Sequence, residues 1–223
     1  MMEYIIIKQK RKTASIAIDK DLRVVVKVPK YMSQTAIKKL VAEHETWIET
    51  TLKKKKVLYE TQDFIKTGRL LYLGNYWPVT FENGNNQQGK VVFNETSGFK
   101  IQTTGDEKQI RGLVELFFKE RAKIYLKELS DEYAARLGVQ YHKITIRKQA
   151  TRWGSCSRQG NLSYNLKILC APTDMIAYVV LHEVMHLRHF NHSQAFWKAM
   201  EEEMPDYKRR MNYFKQFGQN FMI

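Results

Sequence analysis

The sequence predicts an α+β protein, in which a histidine-bearing apolar helix packs on a small antiparallel sheet behind a β-rich N-terminal appendage. Three observations predict it. Alternating apolar residues broken by turn residues dominate 4–28 and 69–103. Apolar residues at three- and four-residue spacing dominate 33–56, 106–137 and the stretch from 173 onward. The chain has 223 residues, 43% hydrophobic and 12% aromatic, with 11 Gly and 4 Pro. That is enough apolar material for a sizeable core and excludes a disordered or collagen-like chain.

Residues 4–28 read as a two-stranded hairpin: Ile5, Ile6 and Ile7, then Ser15 to Ile18, a turn at Asp19-Lys20-Asp21, and the β-branched run Leu22 to Val28 ending at Pro29. Ser33 is a helix cap ahead of Ile37, Leu40, Val41, His44, Trp47, Ile48 and Leu52, one apolar face of a helix that ends in the cations Lys53 to Lys56. His44 on that face reads as a packed core residue. Arg69–Leu73, Tyr76–Phe81, Lys90–Phe93 and Phe99–Thr103, with a loop at Asn83-Gly84-Asn85-Asn86, read as a small antiparallel sheet. From Asp106 to Leu137 a long amphipathic helix is expected, closed by Gly138. Tyr141–Gln149 and Asn161–Leu169 alternate again, and Pro172-Thr173 opens the apolar helix that starts with Met175, Ile176, Val179 and Val180. A boundary near 104 divides this reading into an N-terminal region, 1–104, and a C-terminal region, 105–223.

Lys plus Arg number 37 against 23 Asp plus Glu, a net charge of +14. Such a surplus favours an anionic partner such as nucleic acid, a nucleotide or an acidic protein. Five basic residues, Lys143, Arg147, Lys148, Arg152 and Arg158, stand in a stretch without an acidic one. No uninterrupted apolar run reaches the 18 or so residues of a membrane span, and Met1–Lys12 lacks the order of a signal peptide. The expectation is a cytoplasmic protein without a membrane partner, whose Cys156 and Cys170 stay reduced.

His182-Glu183-Val184-Met185-His186 is an HExxH pattern on a predicted helix. Residues four apart lie one above the other, so His182 and His186 can present two imidazole nitrogens to one metal about 2 Å away. Glu183 lies about 100° further round, within reach of a water on that metal. The metal acidifies the water and Glu183 takes its proton as general base, a hydrolase chemistry. An open catalytic site needs a third protein ligand, and both His189 and His192 follow. His192 is favoured, because three histidines along one helix line up on its axis, whereas tetrahedral coordination needs a ligand returning from another direction. A helix break near His189-Phe190-Asn191, where His and Asn tolerate positive φ, would allow that return, and Ser193 would cap a following helix with Phe196, Trp197 and Met200.

The run Thr151-Arg152-Trp153-Gly154-Ser155-Cys156, with Asn161-Leu162-Ser163-Tyr164-Asn165, the HExxH, Asn191-His192-Ser193 and Phe196-Trp197, resembles the YgjP-like family of predicted metal-dependent hydrolases. Arg11-Lys12-Thr13-Ala14-Ser15-Ile16 and Trp47-Ile48 extend the resemblance over nearly the full chain. The family is similar to the WLM and SprT-like zinc metallopeptidases. The resemblance implies a zincin-like core and one zinc ion held by His182, His186 and His192, with Glu183 as the base. Arg152, Trp153, Ser155 and Asn165, just before the active helix, are candidates for substrate binding, and Arg152 is a candidate oxyanion donor. Three readings follow: a zinc metallopeptidase acting on a peptide or protein; a nucleotide pyrophosphatase in which the five basic residues grip phosphates; and an SprT-like protease associated with nucleic acid.

Overall fold

The structure, a computed structural model, describes residues 3–19, 22–84, 89–149, 152–218 and 221. Two compact units make up the chain, 1–62 and 63–223.

In the first unit β1 (Tyr4–Gln9), β2 (Ser15–Ile18) and β3 (Val24–Pro29) form a sheet in the order β1-β3-β2. The expected hairpin is the antiparallel pair β2–β3; β1 is an additional strand, parallel to β3. As the central strand, β3 buries Val24, Val26 and Val28, which explains its unbroken β-branched sequence. Of the expected turn, Lys20 and Asp21 lie outside the described residues, while Asp19 accepts from the Arg23 amide at 2.9 Å. Ser33 caps α1 (Gln34–Glu43), its hydroxyl accepting from the Ala36 amide at 3.2 Å. The helix expected to continue to Lys56 is interrupted at His44 and restarts as α2 (Glu45–Gln62). At His44 the backbone leaves helical values (φ −110°, ψ 10°), so only the narrow stripe Ile37, Val41 and Ile48 stays buried. His44 is therefore exposed rather than a core residue; its Nδ1 lies 2.9 Å from the Leu40 carbonyl.

The second unit begins with α3 (Phe64–Thr67) and a four-stranded sheet of β4 (Arg69–Tyr72), β5 (Asn75–Glu82), β6 (Lys90–Asn94) and β7 (Gly98–Gln102), in the order β4-β5-β7-β6. The β6–β7 hairpin docks through β7, which runs parallel to β5, so this sheet is mixed where an antiparallel one was expected. Asn85 and Asn86 of the expected loop lie outside the described residues. The long helix α4 (Glu107–Leu137) starts at Asp106, whose carboxylate accepts from the Gln109 amide, and stops at Gly138 in the left-handed region (φ 65°), as its sequence requires. Tyr72 of β4 meets Phe93, Phe99, Phe117 and Phe118 edge to face, with ring centroids 4.9–5.9 Å apart. The sheet and α4 thus share one core, and the boundary expected near 104 lies inside this unit. Fully buried Phe118 and Leu126 contribute roughly 1.5–3 kcal/mol each to it.

Behind α4, β8 (Lys143–Arg147), β9 (Gly154–Cys156) and β10 (Asn161–Asn165) form the sheet β8-β10-β9. β10 is antiparallel to β9 and parallel to β8, so the sheet beside the apolar helix is also mixed. Alternation read as far as Leu169 ends at Asn165, because Leu166, Ile168, Leu169 and Cys170 are all buried in a 3-10 turn. Then come α5 (Thr173–Met185), α6 (Gln194–Glu203) and α7 (Tyr207–Phe217). Among the described residues no helix is long and apolar enough to cross a membrane.

Candidate metal centre

Ile176, Val180, Leu181, Val184 and Met185 are fully buried and seat α5 in the core, which sets the direction of the remaining side chains. His182 and His186 project from one side, their ring centroids 5.0 Å apart. Regular helix ends at Met185, a turn earlier than expected, and the amides of Leu187, Arg188 and His189 close tight turns on the Val184 and Met185 carbonyls. No residue from 186 to 192 has a positive φ, so the anticipated left-handed break is replaced by this tightening. The chain then returns and places His192 Nε2 3.0 Å from His182 Nε2. One nitrogen from each of His182, His186 and His192 lies within 4.8 Å of the others.

Aromatic rings hold this triad. Phe196 lies 4.8–5.1 Å from all three imidazoles, and Trp197 stacks on His192 at 5.3 Å and on Tyr207 of α7 at 5.4 Å. Ser193 caps α6 by accepting from the Phe196 amide at 3.4 Å. His189, the rival ligand, is used through its backbone: its carbonyl oxygen lies 3.0 Å from His186 Nδ1. A carbonyl only accepts, so Nδ1 carries the proton and Nε2 of His186 keeps a lone pair for a ligand.

Burial, with His186 and His192 adding to it, pushes His182 down to about 3, and burial also lowers His186. His182 Nδ1 is buried without a hydrogen-bond partner among the described residues. The His182 and His192 Nε2 atoms can share one tautomeric proton or turn their lone pairs to a cation, and with a nitrogen of His186 within 4.8 Å of both, the residues present fit a divalent metal ion.

Glu183 is 6% exposed and stands against the start of β9. A Cβ on Gly154 would lie 2.6 Å from Glu183 Cγ and 2.7 Å from its Oε1, so glycine is what lets strand and carboxylate approach this closely. Burial pushes the Glu183 carboxyl up to about 8, with the Arg152 charge pulling the other way. Gly154→Ala is expected to lower kcat about 100-fold at unchanged metal content, since misplacing a reacting group by 1 Å costs about that much. Steady-state kinetics beside elemental analysis check this; an unchanged kcat contradicts the cradle.

The same shifts predict how the metal-free chain responds to pH. His182 has a folded value of about 3 against an ordinary 6.5, so the unfolded state holds more protons and stability rises with pH across that window. Glu183 has a folded value of about 8 against 4.5, so the folded state holds more protons and stability falls as pH rises from 4.5 to about 8. The two cancel between 4.5 and 6.5, and above that the Glu183 loss stands alone, about 2 kcal/mol by pH 8. Urea midpoints in the presence of a chelator should fall from pH 6.5 to 8 in the native chain and stay level in Glu183→Gln.

A cleft of about 400 Å³ opens beside the triad. Arg152, Trp153 and Gly154 line it from the β9 side, Tyr178, Val179, His182 and Glu183 from α5, and Met211, Phe214 and Lys215 from α7. Arg152 and Trp153 were expected here. Ser155 pairs with Ser163 across the sheet and is not among the lining residues. Asn165 has a different role from the one expected: its buried amide nitrogen donates to the Gln149 and Arg152 carbonyls at 2.8 and 3.0 Å, and its oxygen accepts from the Lys167 amide. With all its polar atoms engaged by main chain, it anchors the Arg152 segment instead of binding in the cleft. Thr151 lies outside the described residues. Of the five basic residues in 143–158, Arg152 alone lines the cleft, and Lys148 is ion-paired with Glu115.

Sequence reasoning missed Tyr178, Gly154 as the cradle of Glu183, and the whole α7 wall. Tyr178 stands one helical turn before His182, with ring centroids 5.9 Å apart, and that i, i+4 relation was available. Tyr207, Met211 and Phe214 also recur at helical spacing, though nothing local says that they face the site.

A family model described as "YgjP-like, metallopeptidase domain" matches residues 12–217. No curated protein matches. Two solved structures are similar to part of the chain. The metallopeptidase zymogen abylysin of Pyrococcus abyssi is 21% identical over 44% of this chain and 99% of its own, with a TM-score of 0.38. The metallopeptidase zymogen jannalysin of Methanocaldococcus jannaschii is 19% identical over 39% and 86%, with a TM-score of 0.34.

Proposed function

The chain belongs to the YgjP-like metallopeptidase family, and from that premise we propose that it is a zinc-dependent peptide hydrolase in which Glu183 acts as general base. The observation that carries this reading is the convergence of three imidazoles with ligand nitrogens within 4.8 Å, beside a buried carboxylate in an open cleft. Three histidines leave a coordination position free, which suits a catalytic rather than a closed structural site. When bound, zinc supplies Lewis acidity that polarises a carbonyl and acidifies water.

The chain's own residues do the rest. Burial disfavours the charged forms of His182 and His186, the His189 carbonyl orients the His186 ring, and the Phe196 and Trp197 rings hold the three imidazoles in place. Glu183 takes the proton of the attacking water on its carboxylate and passes it to the leaving amine; burial raises its basicity toward the working pH. Arg152, the cleft cation whose charge acts on Glu183, is the donor assigned in this reading to the oxyanion that develops on the carbonyl.

The nucleotide reading needs several cations in the cleft, and Arg152 is the one it takes from the 143–158 run. The nucleic-acid reading rests on the +14 charge and on the resemblance to SprT-like metallopeptidases, with no residue of the cleft behind it. The test is incubation of the zinc-loaded protein with an unstructured protein and, separately, with nucleoside triphosphates. Peptide-bond cleavage, abolished by a chelator and restored by zinc, is expected. Phosphate or pyrophosphate release without peptide cleavage would replace this proposal by the nucleotide reading.

A further inference from the structure

The cleft contains more than the triad and its base. Away from Glu183 its walls are Trp153, Tyr178, Val179, Met211 and Phe214, a predominantly apolar surface. These walls are fixed in place. Trp153 packs against Phe214 at 5.2 Å and Phe221 at 5.4 Å, and Gly218 admits its ring, since a Cβ there would lie 2.6 Å from Trp153 Cζ2. The Trp153 carbonyl accepts from the Asn165 amide at 2.8 Å, the same anchor that holds Arg152. Tyr178, Val179 and Phe214 are buried from their own helices. A pre-packed apolar pocket takes a matching side chain without first paying an ordering cost.

Two cations rim this apolar wall, Arg152, whose charge acts on the Glu183 carboxylate, and Lys215, which has no ion pair among the described residues. Their neighbours on α7 differ: Lys208 pairs with Glu201, and Arg209 and Arg210 both pair with Asp206. On α7 the cation left without an ion pair among the described residues is Lys215, at the cleft. Apolar walls beside it exclude water and strengthen its pull on an anion.

We propose that this part of the cleft is a specificity pocket for a bulky apolar or aromatic side chain carried next to a carboxylate, with Trp153, Tyr178 and Phe214 taking the ring and Lys215 taking the anion. It rests on the peptidase reading and names the kind of peptide preferred. The carboxylate comes either from an acidic side chain or from the free end of a peptide, and about 400 Å³ accommodates an aromatic side chain with its neighbouring anion.

Binding is tested by calorimetry on the zinc-loaded Glu183→Gln protein with three probes: N-acetyl-phenylalanine, N-acetyl-phenylalanyl-aspartyl amide, and N-acetyl-phenylalanine amide. At least one acid is expected to bind about tenfold tighter than the neutral amide, as one charge-assisted contact provides. Tighter binding of the first places a chain terminus in the pocket; tighter binding of the second places an acidic side chain there. N-acetyl-alanine should bind at least tenfold more weakly than N-acetyl-phenylalanine. In Lys215→Gln the advantage of the acid over the amide should shrink several-fold while the amide is unmoved, an outcome that direct ligation of the carboxylate by zinc would not produce. Equal binding of acids and amide, no preference for phenylalanine over alanine, or an equal loss for all probes in Lys215→Gln would overturn the pocket. Because no turnover is needed, selective binding without any peptide cleavage by the native chain would refute the peptidase reading and leave the pocket standing.

Discussion

Glu183→Gln is expected to lower kcat for peptide hydrolysis by about 10²–10⁴, the range that a positioned general base supplies, while the chain keeps one zinc ion. Glutamine preserves the shape of the side chain in the space beside Gly154 and removes the one property the reaction uses, the ability to take a proton. The imidazole cluster does not depend on it: the triad is held by Phe196, Trp197 and the His189 carbonyl. Activity and metal content should therefore separate. Steady-state kinetics with elemental analysis on the same preparation read both, and a variant as active as the native chain would remove Glu183 from the mechanism.

His192→Ala is expected to weaken zinc binding by more than about 100-fold, because losing a mere outer-shell partner of a ligand already costs 10–100-fold. His192 is the one member of the triad that does not come from α5 or its cap. Its side chain is exposed, and the metal-free fold should change by less than about 1 kcal/mol. His189→Ala is the informative contrast. It leaves the carbonyl that faces His186 Nδ1 in place, so zinc content should stay at the native level. Competition with a chromogenic chelator measures both affinities; equal loss in the two variants would contradict the assignment of His192 as the ligand.

The parts legible beforehand were those written in local chemistry. Asp106 and Gly138 bracket α4 because a carboxylate caps amides and glycine accepts a left-handed φ, both properties of single residues. Ser193 capped α6 for the same reason. Strands β8 and β10 could be read from alternation, but their directions could not, and β9, three residues within the stretch expected only to join them, was too short to alternate visibly. Pairing between β8 and β10 joins residues across the intervening β9, and alternation is identical for parallel and antiparallel neighbours. His44 misled because an apolar-face position implies burial only if the helix continues, and this one changes direction there.

The sequence by itself determined the candidate donor set. Two histidines four apart on a helix share a face whatever surrounds them, and Glu183 must lie beside them. Which later histidine joins them was decided by tertiary structure, because the tightened turn after Met185 directs the His189 backbone, not its ring, toward His186 and returns the chain at His192. The basicity of Glu183 was likewise decided there, since it comes from burial against Gly154, a residue 29 positions away. The walls of the cleft come from three segments with no sequence relation to one another, the start of β9, α5 and α7. Helical and strand periodicities record which face of an element is apolar; only packing determines what that face meets.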